Sequence, residues 1–206
     1  MSLFSLKHVN FKGIVQYPSL HIGQYKATFI CGKSGCGKST LLKLLNGVAS
    51  ADSGSLQYCG EEITEYDSIG LRREVLLCGQ SVYLLDGNIR DNFKEFYAYR
   101  DLPAPDDKTI NKYLSVCLAN FPLEAIVTTM SGGERQRIYI AICLSFLPKV
   151  LLLDEPTSAL DEHTSTEFFD NITMFCRENN MTLIAVSHNM TLAERYADEI
   201  INLEDQ

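Results

Sequence analysis

The 206-residue sequence has no excess of basic side chains: its 26 acidic residues outnumber its 18 lysines and arginines, for a formal net charge of -8. A protein that grips a phosphate backbone needs a basic face, so nucleic acid is not expected as a partner. The sequence also lacks any C-x-x-C pair. Its seven cysteines, an odd number, fit reduced thiols better than a disulfide framework, and their spacing is wrong for zinc. Long apolar runs are missing too. The longest, Ile138 to Leu147, stops at Pro148, well short of the roughly 20 residues of a membrane span. No basic segment followed by a cleavable apolar one opens the chain, and no repeat or low-complexity tract is visible. Work at a membrane would require another chain to supply the spans.

What is present is enough for a folded core. The hydrophobic fraction is 46%, and the length suits one compact domain spanning residues 1–206. Short alternating runs at Leu3 to Val9 and His21 to Ile30 predict strands, as do Leu56-Gln57-Tyr58 and Val75 to Cys78. Gly47 and the stretch Ala51-Asp52-Ser53-Gly54 predict a turn after the first helix. From about residue 85 to 145 the character changes to short helices and loops, a helical insert that ends with a helix from Ser131 to Leu147. Then Val150 to Leu153 reads as a wholly apolar strand, Glu167 to Asn179 as a helix, Thr182 to Val186 as a strand and Thr191 to Ala197 as a helix. Apolar strands alternating with helices point to an α/β fold around a buried parallel sheet.

Chemistry enters at Gly32-Lys33-Ser34-Gly35-Cys36-Gly37-Lys38-Ser39, which fits G-x-x-x-x-G-K-[ST] at every fixed position. Gly35 and Gly37 let the backbone turn so that successive N–H groups converge on a polyanion. Lys38 supplies a cation for the β- and γ-phosphates, and Ser39 a hydroxyl for Mg²⁺. A strand, Tyr25 to Ile30, enters this loop, and an amphipathic helix from Thr40 leaves it with its positive end toward the phosphates.

Two further segments fit the same chemistry. The apolar strand Val150 to Leu153 runs into Asp154 and Glu155. Asp154 emerges at the edge where ligands bind in open α/β sheets, placed to complete an Mg²⁺ shell with Ser39. Glu155 is placed to align or deprotonate an attacking water, and Pro156 is expected to hold it extended. Ser131-Gly132-Gly133-Glu134 makes a capping box, which by itself explains the segment structurally. Two glycines at the first helical positions nevertheless cost about 1 kcal/mol each against alanine. Bare N–H groups there form a second anion site.

With these residues in order, the chain resembles the ABC-type ATPases, the nucleotide-binding subunits of ABC transporters. Gly32 to Thr40 matches Walker A and Gln80 the Q-loop. Met130-Ser131-Gly132-Gly133-Glu134 matches the LSGGQ signature with Met for Leu and Glu for Gln. Leu151 to Glu155 matches Walker B, Ser158-Ala159-Leu160-Asp161 the D-loop, and His188 the switch histidine. The resemblance implies a P-loop NTPase fold with a mostly parallel central sheet, an N-terminal antiparallel β portion and an inserted helical subdomain. It implies ATP and Mg²⁺ as cofactors, with Ser39, Gln80 and Asp154 at the metal. Two copies would close head to tail over ATP, joining Lys38 and Glu155 of one to Ser131 and Gly133 of the other, with His188 at the γ-phosphate. Gly32, Lys33, Ser34, Gly35, Cys36, Gly37, Lys38, Ser39, Thr40, Ser131, Gly132, Gly133, Glu134 and Asp161 would hold the nucleotide; Glu155, His188, Lys38 and Gln80 would act on it.

The family's V-x-F-x-Y pattern ends here in Gly13 (Val9-Asn10-Phe11-Lys12-Gly13), which leaves Phe11 or Tyr17 to stack on the base. The implied partner is a separately encoded integral membrane permease, which would hold the chain at the cytoplasmic face of the membrane. Tyr83, Phe93, Phe96, Tyr97 and Tyr99, just after Gln80, are the expected docking rings. A weaker resemblance is to ATPase subunits of iron exporters. The competing expectation is an ABC ATPase of a non-transport complex acting in translation or on DNA. The single ATPase domain, modest insert and acidic balance weigh against it, and a P-loop kinase leaves Ser131 to Glu134 and His188 unexplained.

Overall fold

The computed structural model describes residues 2–203. Ten strands and seven α-helices build two sheets and a helical layer. The first sheet is antiparallel: β1 (Ser2–Phe11) pairs with β2 (Val15–Tyr17), β3 (Leu20–Gly23) and β5 (Ser53–Tyr58), and β5 with β6 (Glu61–Glu62). The second is parallel throughout, in the order β10 (Glu199–Asn202), β4 (Ala27–Cys31), β9 (Thr182–Val186), β8 (Val150–Asp154), β7 (Val75–Cys78).

Every residue of β4, β8 and β9 is buried, which is why these strands read as continuous apolar runs. Alternation then divides their side chains between two cores. Ile30, Val150, Leu152, Ile184 and Val186 face α1 (Lys38–Leu45) and the antiparallel sheet. Phe29, Leu151, Leu153, Leu183 and Ala185 face the other way, against helices α3 (Ile89–Ala98), α4 (Asp107–Val116), α5 (Gly132–Ser145) and α6 (Glu162–Glu178). The parallel sheet is therefore the middle layer, and β8 touches both cores.

Helix starts are set by short polar side chains. Asp67 caps α2 (Ser68–Glu74), Asn88 α3, Asp106 α4, Ser131 α5, Asp161 α6 and Asn189 α7 (Met190–Tyr196), each accepting a bond from a first-turn N–H. Among the described α-helices only α1 starts without a side-chain cap, at Gly37.

Some local expectations change. His21 to Ile30 is not one strand. The chain breaks at a turn where Tyr25 takes φ +61°, so β3 joins the antiparallel sheet and β4 the parallel one. Ser53 and Gly54 are the start of β5 rather than part of a turn, and α6 begins at Glu162, five residues before the expected Glu167, because Asp161 caps it. The rings after Gln80 also divide. Phe93 is fully buried, and Phe96 and Tyr97 pack against the same core, Tyr97 donating to the Ser145 carbonyl at 3.1 Å. They join a core that the insert already builds from Ile89, Ile110, Leu114, Leu123 and Val127. Tyr83 and Tyr99 remain exposed, at 74% and 65%. No helix among the described residues is long and apolar enough to cross a membrane.

Candidate nucleotide site

The site lies along one edge of the parallel sheet, because each of its segments leaves the C-terminal end of a strand. The loop Gly32 to Gly37 follows β4, Gln80 follows β7, Glu155 follows β8 and His188 follows β9. They converge on a cavity of about 360 Å³, lined on the phosphate side by Ser34, Gly35, Gly37, Lys38, Ser39 and Thr40, and elsewhere by Gln80, Glu155 and His188.

The phosphate loop is held open by its glycines. Gly35 and Gly37 have φ of +85° and +100°. A Cβ at Gly37 would lie 2.6 Å from Val15 Cγ1 and 2.8 Å from the Tyr17 hydroxyl, so this position is closed to other residues by both conformation and space. Tyr17 Oη donates to the Gly37 carbonyl at 2.7 Å, and Leu41 N donates to the same oxygen at 2.8 Å. In a trans peptide the N–H lies opposite the C=O, so two donors on the Gly37 oxygen fix the Lys38 N–H to aim backward, out of the helix start. Nothing in the sequence pattern marks this contact. Of the two candidate rings, Tyr17 is 1% exposed and bonded to the loop, whereas Phe11 lines the cavity beside Ile14 and Val15.

Lys38 is 5% exposed, and its ammonium donates to the carbonyls of Gly32 and Lys33, both at 2.7 Å. It is a buried cation aimed by its own loop. Ser39 Oγ donates to Asp154 Oδ1 at 3.0 Å. Burial pushes the Asp154 carboxyl above its ordinary value, with the Ser39 bond opposing. A buried carboxylate beside a hydroxyl is a hard-oxygen pair that suits Mg²⁺, so these residues fit the ion. When bound, such an ion supplies charge neutralisation at the phosphate oxygens.

Glu155 is not extended as Pro156 leads one to expect. Its φ is +50°. Its N–H donates to the Val186 carbonyl at 3.2 Å and its own carbonyl accepts from Ser158 N at 3.3 Å, so the chain folds into a turn at once after β8. Residues held in this left-handed region cost of order 1 kcal/mol or more and are typical of functional sites. The turn returns the carboxylate toward the cavity, where Glu155 Oε1 lies 2.5 Å from His188 Nε2. A carboxylate held by an imidazole at the phosphate edge can accept a proton from water. Behind it, Gln136 donates its amide to the Asp154 carbonyl at 3.5 Å, a second support the sequence did not announce.

The Ser131 segment lies elsewhere. Ser131 N and Oγ both donate to Glu134 Oε2 at 2.8 Å, and Glu134 N donates back to Ser131 Oγ at 3.3 Å. These bonds from Ser131 hold the Glu134 carboxyl below its usual value. Gly132 and Gly133 line a second cavity with Gln80, Ser81, Arg135, Ser158 and Ala159, and a Cβ at Gly133 would come within 3.1 Å of Ala159 Cβ. Asp161 accepts from Thr164 N at 2.9 Å and Thr164 Oγ1 at 2.7 Å, as the cap of α6. Within one chain, then, Ser131, Gly132, Gly133, Glu134 and Asp161 are absent from the lining of the phosphate cavity, and Gln80 borders both cavities.

Known proteins resemble this chain in sequence and in fold. The chain is 36% identical over 200 residues, covering 97% of it and 84% of its relative, to the Escherichia coli K12 protein named "Probable iron export ATP-binding protein FetA". It is 32% identical over 216 residues to the methionine import ATP-binding protein MetN of Xylella fastidiosa, covering 97% of this chain and 62% of that one. The structure of cbiO1 from Clostridium perfringens, part of the ABC transporter complex cbiONQ, shares the fold with a TM-score of 0.81 at 22% identity over 98% of this chain and 84% of that one. The model of the family described as ABC transporter matches residues 15–158, most of the chain, and the protein belongs to that family as an ATP-binding, ATP-hydrolysing subunit.

Proposed function

We propose that this chain powers the movement of a solute through a separately encoded integral membrane permease. It works at the cytoplasmic face of the membrane, as a head-to-tail homodimer that hydrolyses Mg²⁺-bound ATP. The observation that carries this reading is the separation of the two cavities. Lys38, Ser39 and Glu155 line one and Gly132 and Gly133 the other. A second copy turned head to tail would bring its Ser131 and Gly133 to the phosphates held by Lys38. Gln80, bordering both cavities, would register closure. Asp154 and Ser39 would hold the metal, and Glu155, steadied by His188, would take the proton of the attacking water.

Metal export, with iron as the cargo, is favoured within this reading by the likeness to the iron-export relative over nearly the whole chain. The test is Glu155→Gln, which keeps shape and removes the base. Hydrolysis should fall about 10²-fold or more, while ATP is still bound and the protein shifts from monomer to dimer when ATP is added. High salt should help, because it screens repulsion between two acidic subunits. Parental hydrolysis would remove Glu155 from its role, and a monomer at all protein and salt concentrations would remove the composite site.

A further inference from the structure

A separate cavity of about 410 Å³ lies at the end of α1 that points away from the phosphate loop. The helix has 8 residues, so its two ends are about 12 Å apart. Small residues on the segment from α1 to β5 leave the space: Gly47, Ala49, Ala51 and Gly54 all line it. Leu56 of β5, Ile63 in the 3-10 turn after β6, Tyr66 and Leu71 of α2 give it an apolar lining. The Tyr66 hydroxyl is already committed, donating to the Tyr58 carbonyl at 2.8 Å.

Two opposite charges border this space without meeting. Among the described residues that line it, the charged ones are Glu62 and Arg72, and neither forms an ion pair. Their charged neighbours are engaged or stand aside. Glu74 pairs with Lys149 at 2.8 Å, and Lys7, Glu61, Glu65, Asp67 and Arg73 are outside the lining. Both groups are nevertheless held in place. Arg72 Nη2 donates to the Gly47 carbonyl at 2.8 Å, which anchors the side chain and leaves the rest of its N–H fork without a protein acceptor. Glu62 Oε1 accepts from the Ser55 hydroxyl and from Gln57 Nε2 at 3.2 Å, and Oε2 accepts from Leu56 N at 3.3 Å. The Ser55 bond does most to hold the Glu62 carboxyl below its ordinary value, with Gln57, Leu56 and Lys7 adding and burial opposing. A carboxylate takes about four donors, so Oε2 keeps a place open.

We infer that this cavity binds a free amino acid as its zwitterion, with the α-carboxylate on the Arg72 fork and the α-ammonium on Glu62. An apolar or aromatic side chain then lies against Leu56, Ile63, Tyr66 and Leu71. The hydroxyls of Ser50, Thr64 and Ser68, exposed at the same cavity, offer the remaining hydrogen bonds. Charge selects this class of ligand. Phosphate or another plain anion would meet Glu62, and an amine or metal cation would meet Arg72. A wholly apolar molecule would strip water from both charges and return nothing. Arginine suits a carboxylate because two of its N–H groups match the two oxygens. The volume is that of a small-molecule site.

Ligand-detected NMR and melting curves of the full chain with L-leucine and with L-phenylalanine test the assignment. Leucinamide, which lacks the carboxylate, and N-acetyl-leucine, which lacks the ammonium, are the controls. At least one of the two amino acids should bind with a dissociation constant of about 1 mM or tighter and raise the melting temperature. Both controls should bind at least about tenfold more weakly, the scale of losing a charge-assisted bond. Arg72→Ala and Glu62→Gln should each weaken amino-acid binding by a similar factor while nucleotide affinity stays at the parental value. ATP should leave the amino acid bound, since the two occupy opposite ends of α1. If Glu62→Gln fails to fold, Arg72→Ala, at an exposed position, decides alone. No binding of either amino acid up to about 10 mM would overturn the site. Equal binding of the controls, or parental binding by the variants, would overturn the zwitterion as its ligand. Displacement by ATP would move the ligand to the phosphate cavity and overturn the second site.

Discussion

Helices α1 and α5 both begin at glycine-bearing turns, and they treat their free N–H groups in opposite ways. At α1 the N-cap is Gly37 in a left-handed conformation, no side chain serves the first turn, and that turn holds Lys38 and no acid. At α5 the cap is Ser131, extended, with a complete capping box, and the first turn holds Glu134. Both ends carry the positive pole of a helix. The first is left bare and given a cation, so it takes an anion outright. The second is already satisfied by its own acid, so an anion must displace a bond from Ser131 to Glu134 before it can use the hydroxyl. On the reading proposed above, one site is permanent and the other is gated.

Lys38→Ala breaks the permanent site. Hydrolysis should drop about 10²- to 10³-fold, the scale of losing one donor to a developing charge, and nucleotide affinity should fall with it. The thermal midpoint of the free protein should move little by comparison. Titration with a fluorescent nucleotide and a melting curve decide it; unchanged affinity would mean the cation is not at the phosphates. Ser131→Ala breaks the gated site, and here two quantities should fall together. Stability should drop by about 1 kcal/mol, the worth of a cap, which leaves nearly all of the protein folded, and hydrolysis should drop about tenfold or more, the worth of a charge-assisted bond to phosphate. Lost stability with full activity would reduce Ser131 to a cap.

Tyr17→Phe sharpens the contrast, since α1 keeps its shape by a bond from outside the helix. Removing one hydroxyl while leaving the ring packed should cost about 1 kcal/mol. It should appear as severalfold weaker binding of ATP and of inorganic tripolyphosphate alike, with the base contacts intact. Loss for ATP alone would place the effect at the base. The smallest effect is on acidity. The Glu134 carboxyl is held below its ordinary value of 4.5 by its bonds from Ser131. Its contribution is therefore present above that value and is lost as pH falls through the lowered one. Glu134→Gln should show a shallower acid-side loss of melting temperature than the parent. Parallel curves would mean the carboxylate adds nothing to the cap.

Much of the catalytic edge was visible in the sequence because its residues travel with local signals. The phosphate loop is one continuous segment between a strand and a helix, and Asp154 and Glu155 follow an apolar run that could only be a buried strand. The structure gathers Lys38, Ser39, Gln80, Glu155 and His188 around one cavity. What stayed hidden depends on residues far apart in the chain. The bond from Tyr17 to Gly37 spans 20 positions and that from Gln136 to Asp154 spans 18. Local preference misled outright at Glu155, where a following proline favours extension, and a bond to Val186 across the sheet edge together with a local turn bond from Ser158 N holds the turn. It misled again at Phe93, where an aromatic residue near a functional loop is fully buried on the inner face of α3 with Ile89.

That turn at Glu155 also has an evolutionary side. A glutamate in left-handed backbone before a proline is a poor choice for durability, and glycine would relieve the strain there. Glu155→Gly should melt higher than its parent while turning over no ATP. On the reading proposed above, in which Glu155 is the base, any search that rewards heat resistance alone would discard it first.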